Sequence, residues 1–398
     1  MTLDACILTI ERPTLQSRPL AAIHMTREPN AVDFWRGFAL VTIFIDHVPG
    51  LVYADYTLVN YSFSDAADLF VFLAGWSLRL MADSGRGQMP TRLVMLRLFG
   101  RALELYAAQV LITMVAIAIL AASALGLGNP LLLDWHNASA VFNDPVPTHI
   151  GLAVLTHQLG YFDILPLYVV LMLMAPFFAL LDRLAPHFVL PVSLAIYCLT
   201  LGFQITLPTW PVPGTWFFNP LAWQLVFVLG FVLAKNDGIG AVARRHIAWL
   251  RVLALPIVVL AAIATLFDWL WDPTNVPNPK LFFLLDKAFV TPPRLIQFLA
   301  LIAVFSIAFP YLRKLAGINV LHTPVLGLIK LFAMLGRNSL YVFCVGSLLS
   351  LMAQIVRYYY RGSFSGDTAV LILGIVIMAA TAWIAESRQR ATPPARSA

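Results

Sequence analysis

Long apolar runs are separated by short polar segments along almost the whole chain, at roughly 34–52, 65–81, 93–126, 162–182, 188–207, 218–235, 248–270, 292–312, 331–356 and 368–386. A helix needs about 20 apolar residues to cross the hydrocarbon core of a bilayer, so the pattern predicts about ten membrane-spanning helices. The third run is too long for a straight crossing and calls for tilt or an interfacial start. The second is short. The expected fold is all-α: a polytopic membrane helix bundle over residues 31–388, with disordered tails at 1–30 and 389–398. No internal repeat is evident, which argues against a transporter built from inverted repeats.

The basic residues between the runs set the orientation. With the N-terminus inside, the inner segments hold 21 of the 26 Lys and Arg and the outer segments hold 5. The positive-inside rule then puts both ends of the chain in the cytoplasm. The longest outer segment, about 127–161, has no Lys or Arg and carries Asp134, Trp135, His136, Asp144, His149 and His157.

Composition agrees. Of 398 residues 60% are hydrophobic and only 12% charged, against about a quarter charged in soluble proteins. Topology accounts for the net charge of +6, so nucleic acid is not an expected partner; membrane lipid is. Cys198 and Cys344 lie in apolar runs and Cys6 in the N-terminal tail. Their spacing suggests neither a disulfide framework nor a metal site. The short run Ala5–Ile10 meets Glu11, Arg12 and Pro13 at once, so the first long apolar run is expected to act as an uncleaved signal.

Ionisable residues inside the runs are the candidate chemistry, because at membrane depth they normally face a protein interior or a watery cavity. In "DFWRGFALVTIFIDHVPG", Arg36 and His47 lie about 20° apart around a helix axis and about 16.5 Å apart along it, so they share a face. Pro49 and Gly50 should end that helix. In "FSDAADLFVFLAG", Ser64 or Asp65 can cap the next helix, and Asp65 and Asp68 share a face. A short loop joins the two helices, so Asp46, His47, Asp65 and Asp68 should converge at the outer mouth. A neutral histidine there can take a proton from a hydroxyl while a carboxylate fixes its tautomer. At the inner end "RLFGRALE" supplies Arg97 and Arg101 beside Glu104. Paired with Glu104 and joined by Arg36, these arginines suit phosphate, which matches the planar donor fork of a guanidinium. The plainer alternatives are topology anchors for the arginines and helix capping for the aspartates. "HQLGYFDILPLY" and "FFNPLAWQ" add His157, Asp163, Asn219, Trp223 and Gln224 on the outer side.

These motifs, with "LGRNSLYVFCVGSLL", resemble the OpgC family of membrane proteins, related to the acyltransferase-3 group. The resemblance spans residues 33 to about 350. It implies transfer of an acyl group, expected to be succinyl, from cytoplasmic acyl-CoA to a hydroxyl of a periplasmic glucan, in a bacterial inner membrane and with no metal. On that reading Arg36, Arg97 and Arg101 hold CoA. His47, supported by Asp46, Asp65 and Asp68, acts as base or as transient acyl carrier. Asp163, Asn219, Trp223, Gln224 and His157 meet the acceptor, and Arg294, Arg357 and Arg361 are candidates for the succinyl carboxylate. The alternative is a transporter or flippase with Arg36, His47 and Asp68 as a proton relay.

Overall fold

The computed structural model describes residues 28–83, 90–269, 272, 274–318 and 321–391. Cys6 and most of both expected tails lie outside the described residues. Fifteen α-helices are found among the described residues: α1 (Ala31–Asp46), α2 (Ala66–Asp83), α3 (Thr91–Leu127), α4 (Ser139–Asn143), α5 (Pro145–Ala153), α6 (Ile164–Leu184), α7 (Val189–Gly202), α8 (Pro220–Leu233), α9 (Gly238–Arg245), α10 (Ile247–Leu266), α11 (Pro292–Phe305), α12 (Ala308–Leu315), α13 (His322–Arg337), α14 (Ser339–Tyr360) and α15 (Phe364–Ala391). A two-residue hairpin, Pro208–Thr209 with Gly214–Thr215, is the sole sheet among them. The protein is an all-α membrane bundle.

One expectation is narrowed and one needs correction. By length and apolarity six spans qualify among the described residues, or seven if α8 and α9, bent by 74°, count as one. The other runs are also helical but are short or carry charge, as α1 does with 16 residues including Asp33, Arg36 and Asp46. The run 331–356 is not one helix. It breaks at Asn338, whose ψ of 31° leaves the helical region and whose Nδ2 donates to Met334 O at 2.9 Å.

The central helices owe their packing to glycine. A Cβ on Gly37 of α1 would overlap the carbonyl of Phe332 in α13, and one on Gly336 of α13 would overlap that of Asp33. The same reciprocal arrangement joins Gly75 of α2 to Phe227 and Gly230 of α8 to Phe72. Small residues at crossings let backbones approach where water supplies no drive for helices to associate.

Polar contacts define the two ends of the bundle. At one end Arg36 (α1) meets Ser339 (α14), Arg79 (α2) meets Asp182 (α6), and Arg337 (α13) meets Glu386 (α15); this is the basic end. At the other, Gln354 (α14) reaches His47 beyond α1, Arg294 (α11) reaches Asp68 (α2), and Arg357 (α14) reaches Asp367 (α15); this is the mouth.

Candidate functional site

At the basic end Arg36, Arg97, Arg101 and Arg337 line one cavity of about 600 Å³, together with Tyr168, Ser339, Phe70 and Phe343. The three arginines singled out from the sequence therefore come together, and Arg337 joins them. Arg36 donates from Nη2 to Ser339 Oγ at 2.6 Å, and its guanidinium carbon lies 5.9 Å from the centre of the Phe70 ring. Its Nε is buried with no partner. Glu386 holds Arg337 through Nε and Nη2 at 2.8 Å, but Arg337 Nη1 is also buried and unpartnered, as is the Tyr168 hydroxyl. Nearly all buried polar atoms in native proteins have partners, and an unmet donor costs about 1–3 kcal/mol. Three such atoms lie on residues that line this one cavity. Arg101 pairs with Glu104 at 2.8 Å, as the sequence suggested, with both side chains exposed.

At the mouth α1 ends where Pro49 and Gly50 were expected to stop it, and His47 is its C-cap. His47 is half-buried, and its Nδ1 is buried without a partner. Its ring centre lies 4.7 Å from that of Tyr161, which in turn lies 5.0 Å from that of His136. Gln354 ties the group together: its Nε2 donates to the His47 carbonyl at 2.5 Å, and its Oε1 is 2.9 Å from His136 Nε2. With the amide turned this way, His136 donates from Nε2, so its neutral form carries the proton there. Burial pushes the His136 imidazole below its ordinary value, with the Gln354 bond opposing. Tyr161, His136 and Asn137 have φ of 66°, 58° and 64°, a left-handed conformation that costs a non-glycine residue roughly 1–2 kcal/mol. Strain of this kind gathers at functional sites.

The aspartates sit beside this group but are committed elsewhere. Asp65 caps α2: its Oδ1 accepts from Ala67 N, and its own N–H donates to Asp68 Oδ2, both at 2.9 Å. This resembles a capping box, with the cap oxygen on the second helical N–H rather than the third. Asp68 is fully buried and accepts from Arg294 Nη2 at 2.5 Å and Nε at 3.2 Å. Lys287 Nζ lies 2.6 Å from Asp65. No carboxylate among the described residues bonds the His47 ring, so the expected tautomer-fixing partner is not found. Asp46 is half-buried with Oδ1 unpartnered. Asp163, at the N-cap of α6, lies within electrostatic reach of Lys287.

Four residues expected at the acceptor belong instead to the scaffold. Asn219 caps α8 through Leu221 N and donates to Ile205 O. Trp223 is fully buried and donates to Lys287 O. Gln224 is fully buried on Ser193, and His157 is buried on Asn137 O. Arg294 and Arg357, expected for the donor carboxylate, are spent on Asp68 and Asp367; Arg361 caps α14 in an exposed turn. The residues missed were Gln354, Lys287, Tyr161, His136, Tyr168, Arg337 and Ser339 as neighbours in the two sites. A signal existed for several, since Arg337, Ser339, Tyr161 and Tyr168 lie within "LGRNSLYVF" and "YFDILPLY".

A family model described as the OpgC protein matches residues 27–390. No curated protein and no solved structure matches the chain.

Proposed function

The chain belongs to the OpgC family, and from that membership we propose that it is a membrane acyltransferase that esterifies a hydroxyl of a glucan with an acyl group, expected to be succinyl, taken from acyl-CoA. The observation that carries this reading is the basic-end cavity, which Arg36, Arg97, Arg101 and Arg337 line together with Tyr168 and Ser339. The phosphates of CoA supply acceptor oxygens, and the guanidinium forks lining the cavity match them in shape and charge. The accompanying orientation places the basic end in the cytoplasm of a bacterial inner membrane, where acyl-CoA is found, and the mouth on the glucan side.

The cavity reaches Phe70. That residue lies five positions along α2 from its Asp65 cap, a rise of about 7.5 Å. On this reading the acyl arm passes from the cavity along α2 toward His47. There an imidazole nitrogen takes the proton of the glucan hydroxyl as its oxygen attacks the thioester carbonyl carbon. The C–S bond of the tetrahedral adduct then breaks, and the thiolate leaves with the proton that the imidazolium returns. The products are the ester and free CoA, with no further reactant. With Nδ1 unpartnered, the ring can present either tautomer. The acceptor approaches over Tyr161 and Asp163.

The test is assay of ester groups on extracted glucan and kinetics of purified variants. His47→Ala should abolish esterification with the fold intact by thermal melting. Arg36→Ala should raise KM for the donor roughly tenfold or more and leave KM for the acceptor unchanged. Normal ester content with a well-folded His47→Ala protein would overturn the proposal.

A further inference from the structure

Away from both sites, α8 ends at Leu233 and the chain turns by 74° into α9, whose last turn carries Arg244 and Arg245. A second cavity, of about 580 Å³, is lined here by residues of α2, α8, α9, α10 and α11. Along α10 its lining runs from Ile247 to Ile257, and along α11 from Ile296 to Ser306. Ten residues of helix rise about 15 Å, half of a hydrocarbon core about 30 Å thick. The groove is thus about one leaflet deep. It is apolar along its length, and its charged lining, Arg244 and Arg251, lies at the α9 end.

Those two arginines are held but not neutralised. Arg251 donates from Nε and Nη2 to Ser306 Oγ at 3.1 and 2.9 Å. Arg244 donates to the carbonyls of Leu233 and Lys235. Neither has a carboxylate partner among the described residues, while nearby Asp237 pairs with Lys235 at 3.6 Å. α10 itself is only 11% buried over its apolar window, which leaves the groove open to the bilayer.

We propose that this groove holds one anionic phospholipid from the leaflet at the basic end, with an acyl chain along the apolar wall and the phosphate on Arg244 and Arg251. Basic pockets between membrane helices bind anionic headgroups in this way, and the one-leaflet depth selects a lipid over a free phosphate. The assignment is independent of the catalytic reading.

Native mass spectrometry of the purified protein tests it, with phosphatidylglycerol and phosphatidylcholine of matched chains as probes. Phosphatidylglycerol should bind more tightly. Arg244→Gln and Arg251→Gln should each weaken it about fivefold. Ala254→Phe, which fills the groove from a wall residue only 5% exposed, should weaken both lipids without changing any charge. Inorganic phosphate should fail to displace phosphatidylglycerol. Equal binding of the two lipids, no effect of the variants, or displacement by phosphate alone would each overturn the assignment.

Discussion

Asp68 shows how strongly a buried charge in this bundle depends on its partner. It is fully buried, and Arg294 grips both of its oxygens. Removing Asp68 leaves Arg294 with only Asp65 at 3.3 Å and the Phe63 carbonyl, and breaking a buried pair typically costs about 3–5 kcal/mol. Asp68→Ala should therefore lower the melting temperature in detergent markedly, and Asp68→Ala with Arg294→Met should recover much of the loss. If the double variant melts no higher than the single one, the pair is not the source of the stability. The helical period made part of this legible: it put Asp65 and Asp68 on one face, and Arg36 and His47 on another. It was silent on Arg294, which lies 226 positions from Asp68 and reads in the sequence as a loose outer cation. For Asn219 and Gln224, which the resemblance assigned to the acceptor, the sequence offered no choice, since a polar residue at a helix start reads equally well as a cap or as a ligand. Tyr161 reaches His47 through a left-handed backbone turn that no apolar pattern encodes.

At the level of helices, apolar blocks located the long helices but not α4, α5 or α9, and not the ends of most. The break at Asn338 falls at the polar stretch Arg337–Ser339 inside a run read as one helix, and its cap geometry confirms it. The glycines give a sharper test of how α1 and α13 meet. Gly37→Ala must push apart two backbones and should lower the melting temperature. Gly100→Ala in α3, where an added Cβ meets nothing within 4 Å, should be neutral or stabilise by up to about 1 kcal/mol. Comparable destabilisation by both would refute the close crossing. The segment between α3 and α6 makes a pH-dependent prediction. Burial holds the His136 and His157 imidazoles below their ordinary value. The unfolded segment therefore binds protons that the folded one refuses, and stability is lost as pH falls below about 6.5. Protection factors from hydrogen exchange across residues 128–163, which correct for the intrinsic slowing of exchange with acid, should fall below that pH, and less so in a His136→Gln variant. Protection that is flat with pH would show that neither ring titrates on opening.

Across the whole molecule the two sites occupy opposite ends of the same helices. α1 carries Arg36 at one end and leads to His47 at the other. α14 parallels it, with Ser339 on Arg36 and Gln354 on the His47 carbonyl. Between them the buried, unpartnered Ser347 hydroxyl adds a polar position to the same helix. Composition and charge layout made the membrane character and the two-ended arrangement legible from the sequence. The enclosure of the arginine cavity depended on α6 and α13, which supply Tyr168 and Arg337 from distant parts of the chain. A density map of the protein with a bound non-hydrolysable acyl-CoA analogue tests this architecture most directly. The account predicts phosphate density among Arg36, Arg101 and Arg337, with the acyl carbon brought to His47. Phosphates bound elsewhere, or an acyl group that stays on the basic side of Phe70, would contradict it.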